Sequence, residues 1–225
     1  MSDLPVVLVH GFATSARRTW GDNGWIDLLR DAGRDVVAVD LLGHGSADKP
    51  HDPDAYAEVE ALVAAQLPEG PVDAIGFSMG ARVLLTIAAD QPDRFDHLVV
   101  AGVGANLFRD DPRNDIVNAI SGQAADDNPA AQYFAGLARQ PGNDREALVA
   151  FMRWRRPALD DGRLAKITCP VLVVLGDRDF AGPADPLVDA LPDATLVTLP
   201  GVDHYATPKD FRFIDAALGF LGASF

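Results

Sequence analysis

The residues best suited to chemistry in this sequence are Gly76-Phe77-Ser78-Met79-Gly80, a serine with glycines two positions away on either side. The run Pro71-Val72-Asp73-Ala74-Ile75 before it suits a buried strand. After it, Met79, Val83, Leu84, Ile87 and Ala88 recur at helical spacing until Asp90-Gln91-Pro92. Ser78 is therefore expected on a sharp strand-to-helix turn, the G-x-S-x-G nucleophile elbow. Such a turn pushes the hydroxyl outward and brings backbone close on both flanks, where only small side chains leave room. A serine presented this way can attack a carbonyl. The Met79 backbone N–H, at the start of the helix, would point to where the resulting oxyanion forms. A second donor of the same kind is the Phe12 N–H, in the turn His10-Gly11-Phe12.

These groups need a scaffold, and the hydrophobic pattern supplies one. Leu4-Pro5-Val6-Val7-Leu8-Val9 reads as a first buried strand and Asp35-Val36-Val37-Ala38-Val39-Asp40 as a second. The strand before Ser78 is third, and His97-Leu98-Val99-Val100-Ala101-Gly102 is fourth. Helices are expected around Trp25–Leu29, from Asp54 to Leu67, and after Ser78. From Gly104 to Lys166 no strand is apparent; Asp115–Ile120, Ala130–Leu137 and Arg145–Trp154 look helical, punctuated by Pro112, Pro129, Pro141 and Pro157. An all-helical insert in a strand–helix series reads as a lid over the carboxyl edge of a parallel sheet. Pro170–Gly176 and Thr195–Leu199 resume the sheet, a helix near Asp185–Leu191 lies between them, and Phe211, Ile214, Leu218 and Leu221 mark a closing helix.

The bulk composition narrows the function classes. At 225 residues, 48% of them hydrophobic and 23% charged, the chain is expected to form one globular domain over 1–225. A formal net charge of −14 argues against nucleic acid or anionic membrane as partners. No apolar run has membrane-spanning length, and a first strand so close to Met1 leaves no room for a signal peptide. The single cysteine, Cys169, cannot pair internally and reads as buried filler. These features favour a cytoplasmic protein without a metal cluster of the Cys/His type.

Four motifs in order make the chain resemble the α/β-hydrolase family over essentially its whole length. His10-Gly11-Phe12 resembles the family's oxyanion turn, and Asp40-Leu41-Leu42-Gly43-His44-Gly45 with Ser46 and Pro50 resembles its D-x-x-G-H-G-x-S-x-x-P loop, with serine here directly after the second glycine. Gly76–Gly80 resembles the elbow, and Gly176-Asp177-Arg178-Asp179 and Gly201-Val202-Asp203-His204 resemble the acid and histidine turns. The resemblance implies a mostly parallel sheet flanked by helices, a helical lid at about 104–166 after the fourth strand, and no cofactor. Relatives usually begin with a β-hairpin. Only Met1-Ser2-Asp3 precede Leu4 here, so the sheet is expected to be six-stranded, wholly parallel and exposed at an edge near the second strand, which a homodimer would cover.

The resemblance also implies a Ser-His-Asp triad in the chain order of this fold. Ser78 is the nucleophile, His204 its base and Asp179 the carboxylate that orients the imidazole, with Asp177 a close rival and Asp203 a weaker one. Phe12 and Met79 N–H groups form the oxyanion hole. His10 and His44 are expected to shape the loops beside the site, and Asp40 to be a structural hydrogen-bonding residue. Phe77, Phe108, Phe134, Trp154, Phe180 and Tyr205 are candidates for an apolar substrate pocket. Arg155, in Arg153-Trp154-Arg155-Arg156, is a candidate clamp for an acidic substrate. The function implied is a serine hydrolase of a small carboxylic ester, thioester or lactone. The alternatives are a C–C bond hydrolase of vinylogous diketones with the same triad, and a non-catalytic small-molecule receptor of the same fold.

Overall fold

The computed structural model describes residues 4–109, 113–123 and 129–223. Residues 110–112 and 124–128, which the expected insert includes, and Met1-Ser2-Asp3 lie outside the described residues. The strands are β1 (Val6–Val9), β2 (Val36–Val39), β3 (Val72–Phe77), β4 (Phe95–Ala101), β5 (Val171–Gly176) and β6 (Ala194–Leu199). They form one sheet in the order β2-β1-β3-β4-β5-β6, and every pairing is parallel. The helices are α1 (Trp25–Asp31), α2 (Val59–Ala64), α3 (Met79–Asp90), α4 (Arg113–Ile120), α5 (Pro129–Ala138), α6 (Arg145–Arg153), α7 (Asp161–Leu164), α8 (Asp185–Ala190) and α9 (Phe211–Phe220). Among the described residues, no helix is long and apolar enough to cross a membrane.

Strand periodicity explains the two layers of core. Side chains alternate between faces, so Val7, Val9, Ala74, Leu98, Val100, Val171 and Val173 pack on one side with α2, α3, α6 and α8. Val6, Leu8, Ile75, Val99, Leu172 and Val174 pack on the other, with Trp25 and Leu29 of α1 and Phe213, Ala217 and Leu218 of α9. The near-continuous apolar runs of β1, β3 and β5 are what a strand covered on both faces requires. Strand order reverses between β1 and β3, which opens a crevice at the carboxyl ends of those strands. Between β4 and β5 the described residues form a 3₁₀ turn at Ala105–Leu107 and the helices α4 to α7, with no strand among them.

Two segments depart from the sequence reading. The stretch expected as one helix from Asp54 to Leu67 begins as a 3₁₀ turn at Pro53–Glu58 and becomes α-helical only at Val59. The buried Tyr56 hydroxyl donates to the Pro50 carbonyl at 2.7 Å, tying that turn to the preceding loop. An unanticipated π-helical turn at Arg17–Gly21 buries Trp20 edge-on against Trp25, 5.3 Å between ring centres.

At the amino ends of the strands a buried ion pair joins distant parts of the chain. Arg34 reaches the Asp73 carboxylate and donates to the carbonyls of Leu4 and Leu221, both at 2.9 Å through Nε and Nη1. Asp73→Ala would leave that guanidinium buried without its counter-charge, and chemical denaturation should show a loss of about 3–5 kcal/mol. The double variant Arg34→Met/Asp73→Leu should recover most of it. A loss below about 1 kcal/mol in the single variant would mean the pair is not the tie described.

Candidate active site

Ser78 sits between β3 and α3 with φ +53° and ψ −112°, a conformation that side-chain-bearing residues seldom adopt. Strain of this kind costs about 1–3 kcal/mol and persists only where the surroundings enforce it. The enforcement here is close packing. A Cβ on Gly80 would stand 2.2 Å from the Val9 carbonyl oxygen, and one on Gly76 would stand 2.6 Å from the Ala81 Cα. Both glycines are thus needed for the strand and helix to approach, and the approach is what projects the serine.

His204 follows β6, and Asp179 follows β5. The His204 Nδ1 lies 2.9 and 3.0 Å from the two Asp179 carboxylate oxygens, and its Nε2 lies 3.0 Å from Ser78 Oγ. A nitrogen facing a carboxylate must carry the proton, so Nδ1 donates to Asp179. Nε2 is then the acceptor for the Ser78 hydroxyl. Asp179 and His204 are both buried. The Ala181 N–H also donates to Asp179 at 2.8 Å. The imidazole lies between two phenyl rings, with centres 4.9 Å away for Phe77 and 4.4 Å for Phe180.

The rival carboxylates are engaged elsewhere. Asp177 accepts the Gly201 N–H at 2.7 Å, and Asp203 accepts those of Tyr205 and Ala206. Cys169 is buried, and burial pushes its thiol up to about 11, which leaves it unreactive near neutrality.

Phe12 ends the turn after β1, and the next residue, Ala13, has φ +57°. Among the described residues no acceptor takes the Phe12 N–H. Met79 is the first residue of α3, so its N–H has no acceptor within the helix. Two histidines brace this side. His10 Nδ1 donates to the Gly11 carbonyl at 2.7 Å, and its Nε2 accepts the Leu41 N–H at 3.1 Å. Burial lowers its pKa. His44, fully buried, is pushed down to about 3 by burial and by the nearby His10, and so stays neutral. Burial disfavours the Asp40 carboxylate, but hydrogen bonds from Ser46 and Ala16 outweigh that and hold its pKa below the usual range.

Of the aromatic candidates, Phe134 of α5 meets Phe12 at 5.7 Å and Phe180 at 6.2 Å. Phe180 is 41% exposed and Phe108 is 39% exposed, while Trp154 packs partly buried against the larger core cluster. Tyr205, beside His204, stacks on Tyr133 with 3.4 Å between ring centres. Tyr133 was missed by the sequence reading, although it immediately precedes Phe134; nothing in one dimension shows that it meets residue 205. Arg155 is exposed. The inward guanidinium is Arg156, set 4.0 Å over the Phe151 ring and 3.6 Å from Glu60.

Among the described residues, the one group of three whose ligand atoms lie close enough together for a metal ion, Asp73, Asp96 and His97, lies at the opposite ends of the strands, with Asp73 already paired to Arg34.

The sequence model described as the alpha/beta hydrolase family matches residues 6–216. The chain is 32% identical over 211 residues to a pimeloyl-[acyl-carrier protein] methyl ester esterase of Neisseria meningitidis, covering 79% of this chain and 76% of the esterase. It is 28% identical over 199 residues to the 2-(acetamidomethylene)succinate hydrolase of Mesorhizobium japonicum, covering 76% of this chain and 72% of that enzyme. Among solved structures, a serine hydrolase involved in carbazole degradation superposes with a TM-score of 0.71 at 27% identity, covering 98% of this chain and 92% of that one.

Proposed function

The chain belongs to the alpha/beta hydrolase family and is an enzyme of the carboxylic ester hydrolase type, and from that premise we propose that Ser78, His204 and Asp179 cleave a small carboxylic ester, thioester or lactone through an acyl-enzyme. The observation that carries the reading is the continuous hydrogen-bonded line from Ser78 Oγ through both imidazole nitrogens to Asp179.

On this reading His204 Nε2 takes the hydroxyl proton as Ser78 Oγ attacks the carbonyl carbon. Asp179 fixes the tautomer and stabilises the imidazolium that forms. The Phe12 and Met79 N–H groups receive the oxyanion. The imidazolium then gives its proton to the departing alcohol or thiol, and the acyl group stays on Ser78. Water attacks the acyl-enzyme with His204 again as base, the imidazolium returns that proton to Ser78 Oγ as its bond to the acyl carbon breaks, and the acid leaves. No step calls for a cofactor. The rings of Phe77, Phe180 and Tyr205 contact His204 and Phe134 meets both Phe12 and Phe180, which supports reading these aromatics as the walls of a pocket for an apolar acyl or alcohol group. Tyr133 and Phe134 come from the insert, and we read 104–166 as a lid within a single domain spanning 1–225.

The test is a panel of esters, thioesters and lactones graded by acyl size, run beside a fluorophosphonate probe. Turnover together with covalent labelling of the peptide containing Ser78 is the expected result. Labelling without turnover of any of them would favour a receptor, and preferential cleavage of a vinylogous diketone would favour C–C bond hydrolysis. Neither labelling nor turnover would end the proposal.

A further inference from the structure

We propose that Asn143, in the loop between α5 and α6, is a positioning residue that holds the oxyanion turn in its working conformation from the inserted segment. The inference rests on the reading of the Phe12 N–H as an oxyanion donor.

Ala13, the residue after Phe12, occupies the left-handed region at φ +57° without being glycine. Left alone, a residue with a Cβ gains about 1–2 kcal/mol by returning to the right-handed or extended region, and such a rotation next to Phe12 would swing its N–H. Something must therefore hold Ala13. The Asn143 side-chain amide does so from 130 residues away, donating to the Ala13 carbonyl at 2.9 Å. Its Nδ2 also donates to the Leu137 carbonyl, at the end of α5, at 2.8 Å. With both amide hydrogens engaged, the side chain is a fixed bracket between the insert and the turn. A companion tie runs the other way, with Arg18 donating to the Gln140 Oε1 at 2.9 Å and to the Pro141 carbonyl. The turn is thus anchored on one flank by the Asp40 carboxylate at the Ala16 N–H, 2.8 Å away, and on the other by the insert.

A donor displaced by a fraction of an ångström weakens in the transition state far more than in substrate binding. Asn143→Ala should therefore lower kcat for ester hydrolysis about 10- to 100-fold, with KM within about twofold. Affinity for a boronic acid or trifluoromethyl ketone transition-state analogue should fall by the same factor as kcat. Arg145→Met is the control: it removes the hydrogen bonds to the Ile120 carbonyl made by Arg145, the first residue of α6, two positions after Asn143. It should cost thermal stability while leaving kcat and analogue affinity unchanged. Arg18→Met, should Asn143→Ala fold poorly, cuts the companion tie to Gln140 and Pro141 of the same loop and should show the same parallel loss in smaller measure.

Full kcat in a folded Asn143→Ala variant, or an equal kcat loss in Arg145→Met, would overturn the inference; with Asn143→Ala unfolded, full kcat in Arg18→Met would do so. The Ser78→Ala variant separates this from the underlying reading. If Ser78→Ala is inactive while Asn143→Ala keeps full kcat, only the bracket falls. If Ser78→Ala stays active, the site assignment falls with it.

Discussion

Replacing Ser78 with alanine is expected to lower kcat for ester hydrolysis about 10⁴- to 10⁶-fold, the range found when the nucleophile of a serine triad is removed. The size follows from how the groups cooperate. His204 Nε2 accepts from the Ser78 hydroxyl at 3.0 Å, and without that oxygen neither the imidazole nor the oxyanion donors have a tetrahedral centre to serve. What survives is binding and electrostatic stabilisation of direct attack by water, so KM should move little. Covalent labelling by a fluorophosphonate should vanish. The fold should persist, because alanine keeps the Cβ that already occupies the elbow. A folded Ser78→Ala protein with kcat within tenfold of the parent would remove serine catalysis from the account.

Asp179→Asn is expected to cost about 10⁴-fold in kcat, and Asp177→Asn less than about threefold. Both Asp179 oxygens face the His204 Nδ1, at 2.9 and 3.0 Å. An asparagine there can present its NH₂ group and favour the wrong imidazole tautomer, leaving Nε2 protonated and unable to accept from serine. Its neutral amide also withdraws the charge that stabilises the imidazolium. Asp177 instead accepts the Gly201 N–H at 2.7 Å, a task an asparagine oxygen can perform. Steady-state kinetics of the two variants side by side decide the matter. If Asp177→Asn proved the damaging change, the acid would be reassigned and the hydrogen-bonded line reinterpreted.

Much of the scaffold was legible because strands buried on both faces leave an unmistakable trace. Val6–Val9, Val72–Phe77 and Val171–Gly176 are near-continuous apolar runs, and each ends at a glycine or strained turn carrying a group of the candidate site. The elbow was legible for a related reason. Its steric demand falls on Gly76 and Gly80, local neighbours of Ser78 in the chain. The segment from Asp54 was less so, since a helical pattern does not distinguish a 3₁₀ turn from an α-helix when a tether such as Tyr56 to Pro50 sets the pitch. The Arg34–Asp73 pair was invisible because charged residues 39 apart leave no joint signal in a sequence.

The sequence by itself determined the parallel α/β architecture, the strained serine and the order in which Ser78, Asp179 and His204 occur, because periodicity, glycine spacing and chain order are one-dimensional properties. Tertiary structure alone decided which carboxylate faces the imidazole, which aromatic rings flank it, and that a loop beyond α5 reaches back to Ala13. Those are distances between residues far apart in the chain. Such distances are settled by how a twisted sheet and its helices pack, and no local pattern of residues encodes them.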